Sequence, residues 1–326
     1  MGKYVVLWVL CSVFTWSCSP NYKKISGSIY GTFFHITYLS DTDFGHDIRR
    51  ELERLNEVLS MFNPDSEISR FNDGMSIAMS PLFVRMYEKA LEAHEMTWGA
   101  FDITVAPLIN VWGFGYREEG SRDSLYIDSL MNFVGMDKLY TLNDTLYKRL
   151  PGVRLDASGI AKGLGVDVVA EFLDSKGITD YLVEVGGELR VKGHNKEGKM
   201  WKIGIDKPLE NNILNREITM SVRFDEGAMA TSGNYRNFYV KDNKRYVHTI
   251  NPKTGYPFES DIISASVYAP TCMEADVYAT AFMVLGFEKT KRLLKEKKDL
   301  EAFLIYKEND EMKYWNTEGF EKLKLE

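Results

Sequence analysis

Apolar side chains at Ile48, Leu52, Leu55 and Leu59 recur at helical spacing, which predicts a helix over residues 46–60. Ser80 and Pro81 stand as N-cap and first helical residue of a second helix over 80–97. A third is expected over 158–175, opened by Ser158 and stopped by Gly177. Residues 26–39 read differently. They are β-branched and aromatic, with Gly27 and Gly31 at tight places, and predict a hairpin or bent strand. Further strands are expected over 181–191, 200–205, 217–224, 236–250 and 262–269. A helix over 272–285 crosses back after them, with Thr271 and Glu274 spaced as a capping box at its start. Helices crowd the first half and strands the second, so an α+β fold fits better than a doubly wound parallel sheet.

Lys3 followed by the apolar run Tyr4–Leu10 and a small-residue exit has the form of a secretory signal. The run is too short for a permanent span. Ser17 before Cys18, with Ser19 and Asn21 after it, resembles a bacterial lipoprotein cleavage box, although Trp16 departs from it. This reading divides the chain into a signal peptide (1–17), a tether (18–25) that starts with lipidated Cys18, and a domain over 26–326. Signal removal takes away Cys11 and lipidation uses Cys18, which leaves Cys272 with nothing to pair with. At 44% apolar residues, the remainder suffices for one large domain or two intimately packed halves. The net charge of −7, without a long basic run, argues against nucleic acid as a partner.

Chemistry concentrates in a few segments. On the 272–285 helix, Asp276, Ala279 and Thr280 share one face, and oxygen donors of this kind suit Mg²⁺. An Asp and a Thr one turn apart also fit a locally hydrogen-bonded pair. Residues 99–107 set Ala100, Phe101 and Asp102 between a helix and an apolar stretch, where a flat ring fits against backbone, or where an ordinary turn would do. In residues 155–167, Gly159, Gly163 and Gly165 surround Lys162 at a helix start, an arrangement that attracts phosphate, or serves only close packing. The glycine spacing is neither a Walker loop nor a dinucleotide fingerprint. His248 precedes a Pro-x-x-Gly turn and is placed to act as acid, base or phosphate donor, or simply to fill a structural role. His35, His46, His94 and His194 show no paired spacing for zinc.

Taken together, the segments NPDSEISRFN, GAFDITVAPL, LDASGIAKGLGVD, VEVGGELR, ATSGNYRNF, HTINPKTGYP and APTCMEADVYATAFMVLG resemble the ApbE family, in its order, from about Tyr30 to Gly286. The resemblance implies an ApbE-like, tunnelling-fold-like α+β domain of antiparallel sheet with packed helices. It implies a Mg²⁺-dependent FAD:protein FMN transferase, usually an exported lipoprotein on the periplasmic side of the inner membrane. FMN would pass from FAD to a threonine hydroxyl in an Asp-x-x-Ser/Thr-Gly-Ala-Thr motif of membrane electron-transport flavoproteins, with release of AMP. The metal positions would be Gly159, Asp276, Ala279 and Thr280. FAD would meet Tyr30, Phe62, Ala100, Phe101, Asp102, Asp156, Lys162, Glu184 and Ile250, with Gly186, Gly187, Ser232, Asn234 and Arg236 nearby. His248, Asp276 and Lys162 would carry the reaction. Tyr30 and Phe62 depart from the Met and Tyr common at those places. A Mg²⁺-dependent FAD pyrophosphatase, or a flavin-binding lipoprotein without chemistry, are the alternatives to a transferase.

Overall fold

Phe34, Ile36 and Tyr38 point into the core while Phe33 and His35 point out, the alternation of a strand with one buried face. This strand, β2 (Thr32–Leu39), pairs antiparallel with β1 (Tyr22–Ile29) across a turn at Tyr30 and Gly31. In this computed structural model, residues 21–115, 120–208, 217–234, 238–241, 244–258, 260–309 and 311–325 are described. The signal segment, Cys18 and Arg236 lie outside the described residues. The strand β1 opens inside the stretch read as tether.

After the hairpin come α1 (Gly45–Leu59), α2 (Glu67–Asp73), β3 (Ser76–Ala78) and α3 (Pro81–Met96), then α4 (Ala106–Val111), α5 (Ser124–Met131), β4 (Leu139–Leu142) and β5 (Thr145–Lys148). Ser80 caps α3 as expected, its hydroxyl accepting the Phe83 N–H. Next is α6 (Ala161–Ser175), which begins three residues after the expected cap because Ser158 bonds back to Asp156. The stretch 181–191 is two strands, β6 (Tyr181–Val185) and β7 (Glu188–Lys192), reversed at Gly186 and Gly187. The next pair, β8 (Trp201–Asp206) and β9 (Ile218–Phe224), is followed by β10 (Glu226–Gly233), between two expected strands where none was expected. Residues 236–250 contain a short hairpin, β11 (Phe238–Lys241) with β12 (Lys244–Val247). The chain closes with β13 (Ile262–Ala269), α7 (Cys272–Leu285), α8 (Phe287–Glu296), β14 (Glu301–Glu308), β15 (Glu311–Asn316) and α9 (Glu318–Leu323).

Among the described residues the main sheet runs β1-β2-β6-β7-β10-β13-β14-β15, antiparallel throughout. The α+β expectation holds. On one face of the sheet, α6 lies against β6 and β7, and α7 against β10 and β13. On the other, Trp201, Ile203 and Val222 of β8–β9 and Phe320 of α9 pack on Leu189, Val191, Met229 and Phe303.

The helix α7 is apolar nearly all round and correspondingly buried, with Val277 and Ala281 in the cluster under α1–α3 and Tyr278 and Phe282 against β13 and β14. Its contact with α6 is close. A Cβ on Gly163 would lie 2.4 Å from the Cys272 carbonyl oxygen and 2.8 Å from Asp276 Cβ, so only glycine permits this approach. The start of α7 is capped by two elements. Thr271 accepts the Glu274 N–H, but the Glu274 carboxylate pairs with Lys297 instead of closing a full capping box. Asp167 of α6 supplies the rest, accepting the N–H groups of Cys272 at 2.9 Å and Met273 at 2.8 Å.

Candidate functional site

The start of α6, the β6–β7 turn, the end of β10 and the middle of α7 converge on a cleft of about 720 Å³. At its floor is Lys162, in the first turn of α6. Its Nζ lies 3.1 Å from Glu188 Oε1 and 3.8 Å from Asp276 Oδ1. Burial works against the ammonium, yet the charges of Asp276 and Glu188 outweigh it and hold Lys162 above the usual lysine range. Asp276 is 1% exposed, and its Oδ2 accepts the Gly163 N–H at 2.9 Å. A helix start with a fixed cation suits an anionic ligand group.

One turn beyond Asp276, Thr280 reaches the same wall. Its hydroxyl is 3.4 Å from that of Ser232, and a Cβ on Gly159 would lie 3.2 Å from it. Carboxylate and hydroxyl oxygens are therefore the side-chain donors on offer. Among the described residues no group of three His, Cys, Asp or Glu stands ready for a metal ion. The set fits a hard ion such as Mg²⁺ and does not fit zinc. Ala279 is fully buried behind Thr280, with no side chain to offer a ligand.

Ala100, Phe101, Asp102, Asp156, Glu184, His248 and Ile250 all line the cleft. Asp102 is buried and tied to Thr104 through the main-chain N–H at 2.7 Å and the hydroxyl at 2.5 Å. Asp156 is held by the Ser158 N–H at 2.7 Å, which keeps the segment before Gly159 taut. Burial pushes both carboxyls up, against these hydrogen bonds. His248 stands edge-on to Phe114, and the adjacent Thr249 donates to Asn234 Oδ1 at 2.6 Å.

Two residues expected to meet FAD are not among the cleft lining. Tyr30 takes a positive φ of 53°, and its hydroxyl donates to the Leu52 carbonyl at 2.7 Å, which turns the ring into the space between α1 and α6. Phe62 is 78% exposed and off the cleft lining. A residue absent from the expectations takes a central place. Cross-strand pairing of Glu184 with Leu189 and Val185 with Glu188 puts the two glutamates on opposite faces of the sheet. Glu184 therefore meets His35 Nδ1 at 2.7 Å, and Glu188 meets Lys162. A second glutamate four positions on in VEVGGELR was the available signal, but it did not say which one faces α6.

Burial pushes the Glu188 carboxyl up to about 7 from an ordinary 4.5, with the Lys162 charge opposing and the Asp276 charge assisting. A carboxyl raised in the folded state contributes stability in full below pH 4.5, and that contribution is lost as pH rises through about 7. Glu188→Gln is accordingly expected to flatten the decline of the melting temperature across that window in metal-free protein. An unchanged slope would assign the decline to other groups.

An antiparallel sheet backed by two buried helices, with one lysine between two buried carboxylates on the floor of a deep cleft, defines an α+β protein organised around a ligand site. The chain belongs to the ApbE family, whose sequence profile matches residues 30–304. The FAD:protein FMN transferase of Vibrio cholerae serotype O1 is 37% identical over 309 residues, spanning 91% of this chain and 91% of that protein. That of Haemophilus influenzae is 37% identical over 327 residues, spanning 94% and 93%. The solved structure of the flavin transferase ApbE from Vibrio cholerae superposes with a TM-score of 0.84 at 34% identity, covering 93% of this chain and 99% of that one.

Proposed function

We propose that this protein is a Mg²⁺-dependent FAD:protein FMN transferase that esterifies a threonine hydroxyl of an acceptor flavoprotein and releases AMP. The observation that carries this reading is Lys162, fixed at the start of α6 between Glu188 and Asp276 on the floor of the cleft. A pyrophosphate is the kind of group that such a cation and such a helix start hold. The threonine oxygen bonds to the FMN-side phosphorus as the bond from that phosphorus to the bridging oxygen breaks, and the bridging oxygen leaves on AMP. His248 takes the hydroxyl proton. Asp102, buried and tied to Thr104, offers a fixed acceptor to the flavin ring beside Ala100 and Phe101. Asp276, Thr280 and the main-chain oxygen of Gly159, with Ala279 beside them, would hold Mg²⁺, which would supply charge neutralisation at the pyrophosphate. Positioning and electrostatics provide most of the rate.

The protein from Asn21 onward, mixed with FAD, Mg²⁺ and an acceptor domain carrying Asp-x-x-Ser/Thr-Gly-Ala-Thr, is expected to raise the acceptor's intact mass by one FMN. Free FMN and AMP with unmodified acceptor would replace this reading by a pyrophosphatase, and intact FAD would leave a binding protein. His248→Ala is expected to slow transfer by about a hundredfold or more, while FAD binding stays within about twofold, as befits a proton acceptor. Normal transfer by that variant would reduce the histidine to a turn residue.

The first residues bear on the site of action. Lys3, the apolar run and the Ser17-Cys18 box support export and a lipid anchor on Cys18 at the periplasmic face of the inner membrane, where membrane flavoproteins present acceptor domains. Among the described residues no helix is long and apolar enough to cross a membrane. Labelled palmitate is expected in the wild-type protein in cells and absent from Cys18→Ser; label in both would remove the anchor from Cys18.

A further inference from the structure

Glu188 combines features that charge pairing alone leaves unexplained. It is 5% exposed, yet it lines the cleft. One carboxylate oxygen takes the Lys162 ammonium at 3.1 Å, and the other, Oε2, is buried with no hydrogen-bond partner. A buried carboxylate with an unmatched oxygen costs on the order of 1–3 kcal/mol. A buried polar atom left without a partner calls for a role in the site.

The turn preceding it is shaped around the same lysine. Gly186 has φ 65°, and a Cβ there would fall 2.9 Å from Thr32 Cγ2 and 3.2 Å from Lys162 Cδ. The glycine therefore lets the β6–β7 turn close on the lysine stem, while Glu188 takes its head. Asp276, the other carboxylate in reach, is farther from the ammonium at 3.8 Å and is engaged by the Gly163 N–H. A flexible four-carbon side chain, 30% exposed at the cleft floor, is thus gripped at two points by one turn.

We infer that Glu188 is a positioning residue for Lys162: the Gly186–Gly187–Glu188 turn fixes the ammonium where the pyrophosphate of FAD is received. The inference rests on the transferase reading for the identity of the ligand. The geometry of the grip does not depend on that reading. With Glu188 uncharged, Lys162 swings toward Asp276, its other anion, and away from the centre of the cleft.

A double-mutant cycle tests this, using Glu188→Gln, Lys162→Met and the combination in the protein from Asn21 onward. Thermal melts establish that each variant is folded, and Gly186→Ala strains the left-handed turn and crowds Thr32 and the lysine stem without changing any charge. In FMN transfer, Glu188→Gln is expected to lower kcat by about tenfold to a hundredfold, with KM for acceptor unchanged. In the Lys162→Met background, adding Glu188→Gln is expected to change the rate by no more than about twofold, since its effect runs through the lysine. Gly186→Ala is expected to lower kcat in the same direction as Glu188→Gln. Where the Lys162→Met rate is too slow to read, FAD dissociation constants of the four proteins carry the same cycle.

A Glu188→Gln protein with wild-type kcat and FAD affinity overturns the inference. So does a Glu188→Gln effect that keeps its full size without Lys162, because Glu188 would then act on something else. Failure of the wild-type protein to transfer FMN defeats the transferase reading instead, and the cycle in FAD affinity still decides whether Glu188 acts through Lys162.

Discussion

Asp276→Ala is expected to lower FMN transfer by about a thousandfold or more, the scale of losing a charged group that organises a phosphoryl-transfer site. Three functions of the carboxylate disappear together. It is a proposed Mg²⁺ ligand together with Thr280 and Gly159, a counter-charge 3.8 Å from Lys162, and the acceptor of the Gly163 N–H at the start of α6. Asp276→Asn separates these, since an amide oxygen still accepts from Gly163 but carries no charge. Both variants are expected to stay folded, because Lys162 keeps Glu188 as its counter-ion. In wild type, Mg²⁺ is expected to raise the melting temperature as any ligand of the folded state does, and in both variants that shift is expected to vanish. Retention of a third or more of wild-type transfer by Asp276→Asn, or of the Mg²⁺ shift by either variant, would take the metal corner away from Asp276.

Asp167→Ala is expected to produce the largest loss of stability, about 3–5 kcal/mol, the scale of breaking a buried ion pair from one side. The carboxylate is fully buried in α6 and serves two elements at once. It pairs with Arg190 of β7 at 2.9 Å and accepts the first two N–H groups of α7. Without it the Arg190 charge and both amides lose their buried partner. Denaturant unfolding measures the loss, and Asp167→Asn is expected to be milder because its oxygen still accepts one N–H. A loss below about 1 kcal/mol for Asp167→Ala would mean that water enters and solvates the gap. Asp167 ties α6, α7 and β7 together, the three elements that bear Lys162, Asp276 and Glu188. The cleft floor therefore depends on a residue that does not line it.

Local physics accounts for what the sequence made readable. The period of Ile48, Leu52 and Leu55 needs only a neighbouring core to become α1, and the Ser80–Pro81 start of α3 is settled within one turn. That Asp276 and Thr280 share one face of α7 is likewise legible, because residues four apart on a helix share a face wherever the helix goes. The 181–191 stretch was read as one strand because its β-branched content hides a reversal that two glycines at positive φ permit. No strand was expected after residue 269, yet Ala302, Phe303, Leu304 and Ile305 form a strand buried on both faces, which periodicity alone does not reveal.

Residue identity and spacing by themselves determined the four longest helices (α1, α3, α6 and α7), the first hairpin, most strand positions and the segments that line the cleft, since propensity, capping and alternation act over a few residues. Packing across the chain decided the rest. Tyr30 lies between α1 and α6 because its left-handed turn aims the ring there. Ser158 surrendered the cap of α6 because Asp156 competes for it two residues away. Glu188, and not Glu184, faces Lys162 because a two-residue turn fixes strand register, and register assigns each side chain to one face or the other. Thr271 and Glu274 carried half a cap in the sequence, and the other half came from Asp167, 105 positions from Cys272 along the chain, where only the folded contact of α6 with α7 brings it.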